Sequence, residues 1–396
     1  MKTIIAWFPM MMLLFATSCL PEKQSKNGLA YIDVSKNYPE KEIYLTDIAE
    51  VTYLCLNSDD DDYLYKGRIH CITENTIVVC DESSGSVLFF TKEGNPKSRF
   101  NRKGQGPEEY LFTMRVLFDE ITDDVYVMDQ LGHIQVYSST GMYKRSLAMP
   151  QGAMPLNSIV SYDESSFFFY DESIMMKRMA EDYNKNSDSI WVSPFYRISK
   201  HDGSVLDYLE MQIAPIFLGT TTQEGFKMPP RGINRIVKSK EGVFICNPES
   251  DTVFLYRKNQ PLLPVIYKTP LVASTDPMTY LNNCVDEGNY QFMEVNTVAE
   301  NEFASQLPVK YYMRNKNTDE VVLAKIFLPD YNGKEFDFSF RTARRDYVNG
   351  RVYFELDLFE LKQAYNDNKL SGKLKELVAT LNENIDNNVF MLIEFK

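Results

Sequence analysis

The chain has 396 residues, 44% of them hydrophobic, enough to bury one large core or two smaller ones. A formal net charge of −13 repels phosphate backbones and anionic headgroups. The composition therefore argues against a nucleic-acid partner and against electrostatic docking on lipid.

In chain order, Met1-Lys2-Thr3 is a short positive start, Ile4 to Phe15 an uncharged apolar run, and Ala16-Thr17-Ser18 a set of small residues before Cys19. That is the pattern of a secretory signal peptide over residues 1–18. The apolar run is shorter than the ~20 residues a transmembrane helix needs. Ala-Thr-Ser-Cys resembles a bacterial lipobox, which implies a diacylglyceryl thioether on Cys19, cleavage before it and acylation of the new amine. Loss of residues 1–18 removes one charge, that of Lys2, so the mature body stays acidic and the lipid on Cys19 is its expected hold on the membrane. Residues 19–45 are expected as a lipidated tether and lead-in, because Leu20 to Gly28 is polar and without apolar period. The tether lacks the acidic run after the cysteine that, in Bacteroidota-like lipoproteins, resembles a surface-export signal. The expected location is the periplasmic face of the outer membrane, with the cell surface second.

From residue 46 to 396 the chain reads as all-β, with short aromatic and β-branched runs separated by turn residues. A longer period runs through it. Ile77–Asp81 with Val87–Phe90 is followed by Val125–Asp129 with Ile134–Tyr137. Phe167–Asp171 with Phe195–Ile198 is a third copy, and Val243–Asn247 with Val253–Tyr256 a fourth. Tyr311–Asn315 with Val321–Phe327 is a weaker fifth, and Arg351–Leu356 belongs to a sixth. The first strand of each unit ends in Asp or Asn, able to close a turn on its own backbone. The second leads into Gly, Asp-Gly or Asn, which tolerate φ > 0. Asp81, Asp129 and Asp171 recur after 48 and 42 residues. Four-stranded propeller blades repeat every ~40–50 residues, and radial closure shields strand edges. The predicted fold is a six-bladed β-propeller of four-stranded antiparallel blades. The strand Val51–Leu56 is expected in the last blade as the ring closure. About thirty residues are inserted between Asp171 and Asn247, and Ile174 to Asp182, inside the third copy, suits a short helix. Ser371 suits the cap of a C-terminal helix with Leu374, Leu377, Val378 and Leu381 on one face, and Val389 to Phe395 a final strand.

With Cys19 spent on lipid, Cys55, Cys71, Cys80, Cys246 and Cys284 form an odd, scattered set. No CxxC pair exists, which speaks against a structural zinc site. Buried free thiols are expected, while a single Cys71–Cys80 or Cys55–Cys71 bridge stays open.

Between the first two repeats stands Phe100-Asn101-Arg102-Lys103-Gly104-Gln105-Gly106-Pro107-Glu108-Glu109-Tyr110. This segment resembles the GxGPxEY-type signature of the TolB-like six-bladed β-propeller lipoproteins of Bacteroidota. The resemblance extends to the lipobox, to Val51–Leu56 and to the closing Asn387-Asn388-Val389-Phe390. Gly104 and Gly106 permit a sharp turn and Pro107 stiffens its exit, which suits a link from an outer strand to the next inner strand. Such a turn would carry Glu108, Glu109 and Tyr110 toward the central channel. A plain blade connector is the competing reading.

His133 and His201 fall at hairpin turns and His70 in a strand, with no nucleophile elbow or HExxH motif beside them. Asp59 to Asp62 reads as a solvated charge run, with Ca²⁺ as the lesser alternative. The basic segments Met228–Arg235 and Phe340–Arg345 enter inner strands, where salt bridges to neighbouring Asp and Glu are the favoured reading and channel-lining arginines for an anionic or carbohydrate-like ligand the alternative. Candidate ligand-binding residues are Arg102, Gln105, Glu108, Glu109, Tyr110, Arg231, Asn234, Arg235 and Arg341. No catalytic residue, metal or cofactor is expected. The function expected is a lipid-anchored, monomeric binding module for an envelope protein or small ligand. The rival is a metal-dependent hydrolase or lactonase, with Glu109, Asn234 and Asn282 as channel ligands.

Overall fold

The structure is a computed structural model that describes residues 29–58, 61–129, 132–150, 153, 158–173, 193–211, 220–221, 227–228, 235–298, 309–336 and 351–396. Its strands form a six-bladed β-propeller. Blade 1 is Gly67–Ile72, Thr76–Asp81, Val87–Thr91 and Pro96–Phe100. Blade 2 is Thr113–Asp119, Asp124–Asp129, Ile134–Tyr137 and Tyr143–Leu147. Blade 3 is Ile159–Ser161, Ser166–Tyr170, Phe195–Ser199 and Val205–Tyr208. Blade 4 begins with Ile236–Ser239 and Gly242–Ile245 and ends with Thr252–Tyr256 and Leu263–Thr269. Blade 5 holds Thr279–Glu287, Tyr290–Thr297, Val309–Asn315 and Val321–Phe327. Blade 6 contributes three described strands, Arg351–Leu356, Val389–Phe395 and, from the start of the chain, Ala49–Cys55.

Each middle strand is apolar throughout because both of its faces are buried. Side chains alternate across a strand, so Ile77 and Val79 point toward blade 6 while Val78 and Cys80 point toward blade 2. One apolar cluster fills each of the six junctions. The junction of blades 6 and 1, where Tyr353 and Phe390 meet Ile69, Ile77 and Val79, shows that the ring is closed. The predicted closing strand is therefore in place: Ala49–Cys55 pairs antiparallel with Val389–Phe395, Cys55 opposite Val389.

The chain ahead of that strand does more than lead in. Ala30–Asp33 adds a parallel fifth strand outside blade 4, Ala30 opposite Ile266. Glu40–Tyr44 does the same outside blade 5, Glu40 opposite Leu323. Residues 30–55 thus run along three successive blades and cover two outer edges that would otherwise offer unpaired backbone groups.

The hairpin between third and fourth strands keeps its shape through positive φ, at Gly141 (82°) in blade 2 and at Asn259 (60°) in blade 4. A side chain at Gly141 would also strike the Phe100 ring of blade 1. Between the first two described strands of blade 6 lie two helices, Leu358–Asn366 and Gly372–Thr380. The second starts at Ser371 as predicted and buries Leu374 and Val378. The Ser371 hydroxyl does not cap it, donating instead to the Pro329 carbonyl at 3.3 Å. The first, absent from the expectation, is capped by Asp357, whose carboxylate accepts from the Glu360 amide at 2.9 Å. Both pack through Leu361, Leu370 and Val378 into one apolar cluster.

Cys55, Cys71, Cys80 and Cys246 are free thiols, so neither bridge left open above is formed. Burial pushes the Cys80 thiol up to about 11 and the Cys55 thiol up to about 12, which suppresses the reactive thiolate. Residues 174–182, the site of the expected insertion helix, lie outside the described residues, as do Cys19 and the tether through residue 28.

Candidate functional site

The connector from blade 1 to blade 2 is the segment with the strongest sequence pattern, and its geometry is that of a tied knot. Tyr110 is fully buried in the core between the two blades. Its hydroxyl donates to the Gly85 carbonyl at 2.7 Å and accepts from the Arg102 amide at 3.1 Å. Gly104 N–H donates to the Tyr110 carbonyl and Tyr110 N–H to the Arg102 carbonyl, closing the turn. The Glu109 carboxylate accepts from the Gly106 amide at 2.8 Å and lies where a side chain on Gly104 would have to sit. Blade 2 grips the turn from the other side: Tyr137 donates to the Glu108 carbonyl at 2.7 Å and Gln135 to the Pro107 carbonyl at 3.2 Å. Arg102 donates through Nε to the Gly141 carbonyl at 2.8 Å.

These contacts correct the channel expectation. Tyr110 points into the junction core, and Glu109 folds back on its own turn. The Glu108, Glu109, Arg102 and Gln105 side chains are exposed on the connector. The blade-connector reading accounts for the pattern, with Gly104, Gly106, Glu109 and Tyr110 each doing a local structural task.

The Asp and Asn that end the second strands show the same economy. Asp81 accepts from the Ser83 amide at 2.8 Å, Asp129 from the His133 amide at 3.0 Å and Asp171 from the Ser173 amide at 2.9 Å. Asn247 of blade 4 departs from this. Its Oδ1 accepts from the Arg235 guanidinium at 2.6 Å, and its Nδ2 is buried without a partner.

Around Asn247 lies a buried polar cluster at the junction of blades 3 and 4. Arg235 enters just ahead of the inner strand of blade 4 and is fully enclosed. It binds Glu249 through both terminal nitrogens, at 2.7 and 3.2 Å. The Tyr170 ring lies 4.7 Å beneath its guanidinium, a desolvated cation–π contact. Glu172 accepts from the Ser158 hydroxyl at 2.9 Å. Burial pushes the Glu172 carboxyl above its usual range, against the pull of the Arg235 charge. Ser173 Oγ, like Asn247 Nδ2, is buried without a hydrogen-bond partner.

Among the described residues predicted to bind ligand, Arg235 alone reaches this cluster, and Glu249 and Asn247 bond both of its terminal nitrogens. The terminal fork of Arg235 is thereby taken up by protein partners. Arg231, Asn234 and Arg341 lie outside the described residues, as does the side chain of Asn282. Of the acidic run, Asp62 is described, and it pairs with Arg99. His70 Nδ1 accepts from the Val116 amide at 3.0 Å and ties blade 1 to blade 2. His133 and His201 sit in hairpin turns as expected. Sequence reading missed Glu172, Ser173 and Glu249. Asp171 and Asn247 marked their neighbourhoods as strand ends, but the proximity of two strand ends 76 residues apart arises only from the ring.

At the opposite end of blade 5, Glu287 is buried at the turn out of the inner strand. Its Oε1 has no partner, and burial pushes its carboxyl up to about 7.

Residues 21–200 match the profile of DUF5128, a 6-bladed beta-propeller family. Among solved structures, a Bacteroides fragilis NCTC 9343 protein designated as exported is similar over 93% of this chain and 99% of its own, at 16% identity and a TM-score of 0.62. That likeness is one of fold. The WD40 repeats of RRP9 (8% identity, 91% of this chain and 99% of that one, TM-score 0.41) are a looser match. BamB from Moraxella catarrhalis (10% identity, 82% and 83%, TM-score 0.33) is looser again. No curated protein matches the sequence.

Proposed function

We propose that this chain is an exported, lipid-anchored propeller that binds a partner protein or small ligand at the end of the ring where the second strands finish. Export is supported by the signal-peptide pattern of residues 1–18 and by the designation of the similar Bacteroides fragilis protein. Anchoring through Cys19 at the periplasmic face of the outer membrane rests on the lipobox and on an acidic body that lipid headgroups repel. The observation that carries the binding role is the unmet hydrogen-bonding capacity of Asn247, whose Oδ1 is held by the buried Arg235 of the Arg235–Glu249 pair. Fold by itself is weak warrant for function, whereas rigidly held, unmet polar groups are what a binding site offers a ligand.

The test is native mass spectrometry of the mature lipidated chain, extracted in detergent from its own envelope, with elemental analysis. A bound organic molecule or polypeptide at one copy per chain is the expected result. Stoichiometric Ca²⁺ or Zn²⁺ together with turnover of a lactone would establish the metal-dependent hydrolase instead. A palmitate label that survives Cys19→Ala would overturn the anchor.

A further inference from the structure

We propose that the outer rim of blades 4 and 5, where the N-terminal arm lies, is a surface that rests on the lipid bilayer. The proposal relies on the reading that Cys19 carries the lipid, and it adds an orientation to that reading. The arm strands Ala30–Asp33 and Glu40–Tyr44 each set one exposed tyrosine opposite an aromatic of the outer strand they pair with. Tyr31, 61% exposed, meets the Tyr267 ring edge-on at 5.9 Å, and Tyr44, 45% exposed, meets the Phe327 ring at 5.9 Å. Leu263, on the same outer strand as Tyr267, and Leu271, just beyond it, are exposed as well. Ile32 and Ile43, next to the two tyrosines in sequence, are buried in the junction cores, which fixes the backbone beneath both ring pairs. A tyrosine carries an apolar body and a polar tip, and such rings concentrate at the headgroup level of membranes.

The length of the tether limits which sides of the ring can touch the bilayer. Leu29 is ten residues beyond Cys19, so the arm joins the ring no more than about 35 Å from the lipidated residue. A folded body of about 350 residues has a radius of gyration of about 20 Å and is about 50 Å across. The rims of blades 1 and 2, across the ring from blades 4 and 5, are therefore out of reach of the bilayer while the arm is docked. The near rim and the two flat faces remain, and the paired aromatics mark the rim. Charge does not oppose this contact strongly, because Glu40 is paired with Lys325 at 2.7 Å and Lys41 with Glu320 at 3.7 Å. These four charges meet the headgroups as pairs, whatever the excess of acid elsewhere on the body. The contact then depends on seating aromatic rings and not on electrostatic attraction.

Tryptophan fluorescence tests the orientation. Trp7 leaves with the signal peptide, so Trp191 is the single native tryptophan of the mature chain. Tyr31→Trp and Tyr44→Trp are prepared in the mature lipidated chain, with Ile121→Trp as the control. Ile121 is 86% exposed in the turn between the first two strands of blade 2, so all three substitutions fall on exposed positions. Each chain is reconstituted into vesicles of phosphatidylcholine brominated near the headgroup, and the Trp191 signal is subtracted with the unsubstituted chain. Quenching about threefold stronger for Tyr31→Trp and Tyr44→Trp than for Ile121→Trp is expected, and it should persist at about 1 M salt, where charges are screened beyond ~3 Å. Equal quenching of all three overturns the proposal, as does the loss of the difference in salt. No quenching of Tyr31→Trp and Tyr44→Trp also overturns it, and that is the result a rim reserved for a partner protein would give in pure lipid. A palmitate label on Cys19 tells the two readings apart. A chain that carries no palmitate loses the anchor and this surface with it, whereas a palmitoylated chain without the quenching loses the surface alone.

Discussion

The connector between blades 1 and 2 and the cluster at the junction of blades 3 and 4 meet their polar groups in different ways. In the first, a dense sequence pattern becomes a connector whose polar groups are matched: Tyr110 to Gly85 and Arg102, Glu109 to Gly106, Tyr137 to Glu108. In the second, no pattern announces the site, yet a buried arginine, the Glu172 and Glu249 carboxyls and the unpartnered Asn247 Nδ2 gather there. The contrast teaches that a strong local motif can be wholly spent on folding. Unmet polar capacity, by contrast, arises where distant strand ends are forced together.

The most disruptive way to break this contrast is to remove one member of the buried ion pair. Arg235→Leu leaves Glu249 buried without its counter-charge, and a loss of about 3–5 kcal/mol is expected in denaturant unfolding. The double variant Arg235→Leu/Glu249→Leu should recover most of that loss, because no charge is then stranded.

Next in size is the effect of Glu287, a buried carboxyl outside both junctions that sharpens the comparison by its pH dependence. With its carboxyl pushed up to about 7 by burial, the folded chain holds a proton that the unfolded chain releases near 4.5. Below 4.5 both states are protonated and burial costs nothing on this account. As the pH rises from 4.5 through 7 the folded state is progressively disfavoured. Glu287→Gln should therefore stabilise the chain at pH 8, by up to about 3 kcal/mol, and leave it unchanged at pH 4. An equal gain at both pH values would remove the titration as its cause. Glu172, raised in the same direction at the blade 3–4 junction, gives its own variant Glu172→Gln a flatter pH profile of the same sign.

Tyr110→Phe probes the satisfied junction. It strips two hydrogen bonds inside a fully packed core and leaves the Gly85 carbonyl and Arg102 amide without their partner, so a loss of about 1–3 kcal/mol is expected in urea unfolding. A neutral outcome would show that the connector is less tightly tied than its geometry. Smallest is Ser173→Ala, which removes a hydroxyl that bonds nothing. It should be neutral or stabilising by up to about 1 kcal/mol, read as a rise in midpoint. A clear loss instead would identify a hydrogen bond that the chain makes and the structure does not hold.

Much of the fold could be read from the sequence because it is repeated local chemistry. Runs such as Phe167–Tyr170 or Val125–Met128, buried on both faces, must sit between two sheets. The Asp that follows each closes its turn by contacts two to four residues away, and Gly141 and Asn259 take up the positive φ their hairpins need. These are short-range constraints, and a single chain carries them openly. The closing strand before blade 1 was readable for a related reason, since a ring with one strand to spare has one place for it.

The rest needed the ring itself. Glu40–Tyr44 is short and mostly polar, and nothing in it specifies parallel pairing to a strand nearly 300 residues later. Only the outer edge of blade 5 passing by its path does so. For Arg235 the sequence left open a channel arginine for an anion or a salt bridge to a nearby carboxylate, and the approach of Glu249 and Tyr170 decided for the second. Sequence determined the blades, their period and their turns, because those follow from alternation, aromatic bulk and backbone conformation over a few residues. Tertiary structure decided which polar groups are spent and which are left waiting, because that depends on which strand ends the closed ring brings within hydrogen-bonding distance.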